Sequence, residues 1–177
     1  LRENSKILIA LGACAALGGV PAIMPEQDRK IWYEKIYGNG YTPKGIDAKP
    51  LSAYVKIDFM IHGCPIDEGE FVRALEMILA GKKPAYRGYS VCFDCKVKEN
   101  NCRILEGSPC MGPITQGGCK AVCVSGGAPC YGCFGMREEA NIPALKKIFA
   151  RITDTETAKR YFTMFHSRTD SNLNNQK

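Results

Sequence analysis

Eight of the ten cysteines in this 177-residue chain fall between Cys92 and Cys133, in a stretch rich in glycine and proline. A local density that high means a cross-linked or metal-held segment, because isolated core thiols do not crowd in this way. The spacings are Cys92-x2-Cys95-x6-Cys102-x7-Cys110, then Cys119-x3-Cys123-x6-Cys130-x2-Cys133. They divide into two sets of four. Each set holds a C-x2-C pair, which places two thiolates on one turn so that both face the same metal. Disulfides are the weakest explanation, since a C-x2-C pair staples poorly and the aliphatic remainder of the chain needs no covalent support. Two structural zinc sites would show the same two sets of four. Glycine and proline beside almost every cysteine (Pro109, Gly112, Pro113, Gly117, Gly118, Pro129, Gly132 and Gly135) favour a backbone wrapped around a bulky iron–sulfur cluster, whose sulfurs accept N–H bonds.

The remaining sequence is that of an ordinary globular protein, with 45% hydrophobic and 24% charged residues, enough for one domain with a smaller appendage. The net charge of +6 comes from scattered lysines and arginines without runs, which reads as a solvated surface and not as a nucleic-acid footprint. Residues 7 to 24 are apolar apart from glycine and proline, and "LGAC" resembles a lipoprotein cleavage box. Gly12, Gly18, Gly19 and Pro21 break that run below the length of a membrane span, and Glu3 weakens the basic leader, so export by this segment is not expected. The chain starts with Leu1, which is the expectation for a piece whose natural beginning lies upstream.

"KILIAL", residues 6 to 11, reads as a parallel-sheet strand buried on both faces, with Cys14 on the loop after it. "YVKIDFMIHG" alternates Val55, Ile57, Phe59 and Ile61 as a second strand, followed by Cys64. Ligands of open α/β sheets bind beyond the carboxyl ends of strands, so Cys14 and Cys64 are placed to meet at one site. A helix then starts at Asp67 and Glu70, with Phe71, Val72, Leu75, Ile78 and Leu79 as an apolar face and Gly81 as its stop. A short helix is expected around Trp32. Two more follow the cysteines, at "IPALKKIFARI" and "DTETAKRYFTMF", the latter capped by Asp154 or Thr155, before a polar tail. His62 reads as a structural hydrogen-bonding residue ahead of a proton relay, Asp94, Glu99 and Glu106 as surface carboxylates, and Met111 and Met136 as packing. The fold expected is α/β, a partial parallel sheet followed by a loop-rich cysteine unit with short helices. Its divisions are 1–88, 89–140 and 141–177.

"GACAALGGVPA" and "HGCPID" resemble the two inner-cluster motifs of the small subunit of nickel-iron hydrogenases, and "PCMGPITQGGC" with "GGAPCYGC" resembles that family's outer-cluster signature. The likeness runs from about Lys6 to Met136 in the family's order. It implies a flavodoxin-like first unit, with Cys14 and Cys64 as ligands of a proximal cluster. Cys92, Cys95, Cys102 and Cys110 would then hold a distal cluster, and Cys119, Cys123, Cys130 and Cys133 a medial one, all [4Fe-4S]. Membrane-associated members carry histidine in place of Cys92 and lack the cysteine at Cys123. The resemblance is therefore to the cytoplasmic sulfhydrogenase and heterodisulfide-reductase-linked types. The respiratory complex I subunit with similar inner motifs carries one cluster, and the eight further cysteines set this chain apart from it.

The family's proximal cluster takes two more ligands from a C-x2-C motif after the first strand. No such pair precedes Cys14 here, so the resemblance implies that it lies upstream or on a separate polypeptide. The implied function is electron relay within an oxidoreductase acting on hydrogen. The nickel-iron site would lie in a large-subunit partner, with a flavin or iron–sulfur subunit as acceptor. The competing class is a non-redox module held by zinc at the two four-cysteine sites.

Overall fold

The computed structural model describes residues 1–168 apart from 25 and 46. The expected polar tail lies mostly outside these described residues. Two short strands, β1 (Ile9–Leu11) and β2 (Phe59–Ile61), form a parallel pair in which Ile9 stands opposite Phe59 and Leu11 opposite Ile61. With several short helices around this pair, the fold is mixed α/β, as the sequence implies.

Both strands are shorter than the apolar runs that predict them, and Asp58 explains where the pairing stops. Its backbone N–H donates to the Leu8 carbonyl at 2.9 Å, while its carboxylate accepts the Leu8 N–H at 2.8 Å and pairs with Arg2. A side chain thus replaces the next rung of the backbone ladder. Within this chain β1 is covered on one face only: Ala10 is fully buried, whereas Leu11 is 46% exposed. The strand expected to be buried on both faces therefore presents one of them outward.

Beyond β1 the chain turns at Gly12 into α1 (Ala13–Leu17), so Cys14 stands in the first turn of a helix and not on a loop. The helix around Trp32 is α2 (Arg29–Tyr37). After β2, α3 (Glu68–Leu79) begins where Asp67 accepts the Glu70 N–H at 3.1 Å, the N-cap that the sequence predicts. Its buried face differs from expectation. Glu70 and Ala74 face inward, while Phe71, Val72, Leu75 and Leu79 are substantially exposed. The Glu70 carboxylate tolerates burial because Arg73 and Arg87 both donate to it, at 2.9 Å and 2.7 Å.

The cysteine-dense stretch has little regular structure beyond α4 (Val91–Val97) and α5 (Val122–Ser125). Its core is completed from the carboxyl-terminal side by α6 (Ile142–Ile152) and α7 (Thr155–Thr163). These begin at Asn141 and Asp154, whose side chains accept the N–H groups of Ala144 and Thr157 at 3.0 and 2.8 Å. Leu145, Phe149 and Phe162 pack with Val91, Cys110, Met111, Ile114, Ala121, Val124 and Cys130. Just past α7, Phe165 joins Ala10, Ala13, Ala16 and Leu17, with Cys133 and Tyr131 against them. The last helices therefore pack against the cysteine segment, and the residues just after them against the strand pair. Among the described residues no helix is long and apolar enough to cross a membrane.

Phe149 is fully buried and touches both Tyr161 and Phe162 edge-on or tilted, at ring separations of 5.8 and 5.2 Å. Phe149→Ala should cost about 3–5 kcal/mol, read as a lowered denaturant midpoint, with cysteine spacing and content unchanged.

Candidate metal centres

None of the ten cysteines is paired in a disulfide. Cys92, Cys95, Cys102 and Cys110 line one cavity of about 50 Å³ together with Gly112, Pro113 and Ile104. Cys119, Cys123, Cys130 and Cys133 line a second, of about 80 Å³, with Thr115, Tyr131, Phe134 and Phe165. Val91 and Val124 belong to both linings and form the wall between them. The two sets of four that the spacings suggest are thus two separate groups in space. Their thiols stand around hollows: among the described residues, no three His, Cys, Asp or Glu side chains converge closely enough to hold a single ion.

Local backbone geometry explains how a loop achieves this. α4 carries Cys92 and Cys95 on one turn, and its Asp94 accepts the Gly118 N–H at 2.8 Å, fastening the helix to the start of the other set at Cys119. Asp94 is therefore a structural acceptor between the two cavities and not a free surface carboxylate. Glu106 does lie at the surface, paired with Arg103 at 2.7 Å. Gly112 lies close against the sulfurs: a Cβ there would stand 3.3 Å from that of Cys92, a tight contact, and 3.5 Å from that of Cys110. Met111 is fully buried in the shared core, and Met136 packs against it, as packing residues should.

Two direct links join the groups. The Cys130 N–H donates to the Cys110 sulfur at 3.3 Å, and the Met111 N–H donates to the Cys130 carbonyl at 2.9 Å, so a residue of one cavity is bonded to a residue of the other. On the opposite side, the Cys64 N–H is hydrogen-bonded to the Cys133 sulfur, and Cys64 also lines the second cavity. Cys14 is held near by the strand pair, since the Ala13 N–H donates to the Gly63 carbonyl at 2.9 Å. Cys14 and Cys64 are both exposed. The spatial order is Cys14 and Cys64, then Cys119 to Cys133, then Cys92 to Cys110.

Burial dominates the electrostatics. It pushes the Cys92 and Cys133 thiols up to about 11 and raises Cys110, Cys119 and, most strongly, Cys130. Backbone N–H groups work against it: Gly112 and Cys130 donate to Cys110, Ala121 to Cys119 and Gly132 to Cys130. These donors lower the cost of a thiolate inside an apolar cavity.

Both histidines are buried. His62 packs against Tyr86, with ring centroids 5.7 Å apart, and burial brings it down to about 4, so it is neutral near pH 7. Gly135, at a φ of +80°, lies against that ring, and a Cβ there would come within 2.9 Å of it. His166 contacts the Gly132 carbonyl through Nε2 at 3.1 Å, inside the Cys130–Cys133 turn. Nothing in the sequence singles out His166 or Thr115.

The comparisons with known proteins agree with this geometry. Sulfhydrogenase 2 subunit delta of Pyrococcus furiosus is 39% identical over 166 residues, covering 93% of this chain and 69% of that protein. The chain belongs to the family of hydrogenase small subunits. A vhu subunit of the F420-non-reducing hydrogenase of Methanocaldococcus jannaschii is 30% identical over 79% of the chain and 59% of its own length. The iron-sulfur subunit of the F420-non-reducing hydrogenase of Archaeoglobus profundus is 26% identical over 91% and 68%. This hydrogenase subunit thus spans 59% to 69% of these relatives. Residues 1–78 also match the family described as NADH ubiquinone oxidoreductase, 20 Kd subunit. That match ends before the eight clustered cysteines.

Because burial holds Cys92 and Cys133 protonated at neutral pH, loading either cavity with a thiophilic metal releases protons, and apparent affinity should rise with pH up to about 11. Reconstitution of metal-free protein with ferrous iron and sulfide at about pH 6.5 and about pH 8.5, followed by sulfur-to-iron absorption, should show fuller loading at the higher value.

Proposed function

We propose that this chain is the iron–sulfur electron-relay subunit of a nickel-iron hydrogenase, passing electrons between a hydrogen-splitting large subunit and an acceptor subunit. The observation that carries this is the spatial order of its thiols. A pair at the strand ends adjoins one four-cysteine cavity, which is bonded to the other. Cys119, Cys123, Cys130 and Cys133 hold a medial [4Fe-4S] cluster in this assignment, and Cys92, Cys95, Cys102 and Cys110 a distal one. Cys14 and Cys64 supply half of the ligands of a proximal cluster, whose other two come from a C-x2-C segment outside residues 1–177.

The donor set fits the group. Each cavity presents four thiols around a hollow, with apolar walls and N–H groups directed at sulfur, as a multi-iron cluster requires and a single zinc ion does not. When bound, such clusters supply one-electron redox chemistry. What the chain's own residues do is ligate, exclude water and direct N–H groups at sulfur. Val91 and Val124 keep the cavities apart, and the Cys130–Cys110 bond keeps them close. The partners in this reading are the nickel-iron large subunit and a flavin or iron–sulfur acceptor subunit, in the cytoplasm.

Protein isolated without oxygen should be brown, with about eight iron and about eight acid-labile sulfide per chain from the two complete sets, and reduced-state EPR signals. Zinc without sulfide would overturn the assignment in favour of a structural zinc module. A nickel-containing subunit should co-purify with it.

Gly112→Leu should fill the hollow beside Cys92 and Cys110, whose sulfurs lie 3.3 and 3.5 Å from a Cβ there, and meets the second set only at the Cys130 Cβ, 3.9 Å away. Iron should fall to about half in that variant, checked by metal and sulfide analysis.

A further inference from the structure

We propose that Thr115 is a positioning residue for the set Cys119, Cys123, Cys130 and Cys133: its hydroxyl donates to the Cys130 sulfur in the loaded protein and raises the reduction potential of that site. The inference rests on the cluster assignment above and goes beyond it by naming a group that is not a ligand.

Thr115 is 1% exposed and lines the second cavity. Its backbone is held at both ends, with its N–H on the Met111 carbonyl at 3.1 Å and its carbonyl accepting the Val91 N–H at 3.0 Å. Its Oγ1 stands 2.7 Å from the Met111 carbonyl and 3.7 Å from the Cys130 sulfur. While Cys130 is a thiol, a simple chain satisfies everything: S–H donates to Oγ1, and the hydroxyl donates to Met111. Ligation removes the sulfur's proton. The single hydroxyl proton then has two acceptors within reach, a carbonyl and an anionic sulfur.

The carbonyl has less need of it. Met111 already accepts the N–H groups of Ile114 and Thr115, each at 3.1 Å. The Cys130 residue is buried, 7% exposed, and beside the Thr115 hydroxyl at 3.7 Å its sulfur has the Gly132 N–H as backbone donor. A charge-assisted bond to that sulfur is the stronger alternative, and an under-donated buried anion is costly. Such a bond strengthens as negative charge on the sulfur grows, so it stabilises the reduced site more than the oxidised one. A valine would fill the same space without a proton to give.

The test uses the complex isolated anaerobically with its partner subunits, as wild type, Thr115→Val and Thr115→Ser, each titrated reductively under EPR after iron and sulfide analysis. In Thr115→Val, one cluster potential should move to more negative values by up to tenfold in the oxidised-to-reduced ratio, or about 59 mV for one electron, with the other signals unmoved. Thr115→Ser should restore it. If the valine variant fails to load, Thr115→Ala, which adds no bulk, carries the same expectation. Unchanged potentials in a fully loaded valine or alanine variant overturn the inference, as does a serine variant that behaves like valine. A wild-type protein without iron and sulfide would instead overturn the cluster assignment itself, and this inference with it.

Discussion

The crossing of Cys110–Met111 with Cys130 is the interaction on which the rest of the cysteine segment depends. Two backbone N–H groups are exchanged there. One goes from Cys130 to the Cys110 sulfur and one from Met111 to the Cys130 carbonyl, in a region from which water is excluded. A buried amide must find a partner, and here one of the partners is itself a thiol lining the other cavity. The same contact therefore settles the backbone and sets the separation of the two sites. The Cys110 sulfur is thus joined to that of Cys130 by one hydrogen bond and the backbone and side chain of a single residue.

The surroundings keep that crossing in place with few elements. Phe149 and Phe162 close its apolar side, and Asp94 ties the α4 turn to Gly118 across the gap between cavities. Glu70, buried with Arg73 and Arg87, fixes the stretch around Arg87 that leads into the cysteine segment. The lining of the second cavity carries no Asp, Glu, Lys or Arg, and the first is apolar but for Lys96 and for Arg103, which is paired with Glu106. This is the condition under which N–H···S bonds have the greatest effect on a thiolate.

Several elements were legible in advance because they rest on local rules. Asp67 and Asp154 cap helices through their own side chains, and the runs at residues 142–152 and 155–163 show their helical period plainly. Other features were not local. The strand at "KILIAL" shortened because Asp58, fifty residues away, takes over its next rung, and α3 turned its acidic Glu70 inward because Arg87 arrives from a later segment. Asp94 read as a surface group since its acceptor role depends on Gly118, which the chain reaches only as the second set of cysteines begins. Thr115 and His166 had no signal, as a polar residue beside Gln116 or Ser167 says nothing about which sulfur or carbonyl it will meet.

What the amino-acid sequence determined by itself was the count and pairing of the thiols, their grouping by C-x2-C spacing, and the resemblance those motifs carry, because spacing along a chain limits which cysteines share a turn. Only the tertiary structure decided the order of the sites and what lies between them. Cys130 and Cys110 are twenty residues apart, and the bond that joins their cavities forms only when the loop between them folds back under the carboxyl-terminal helices.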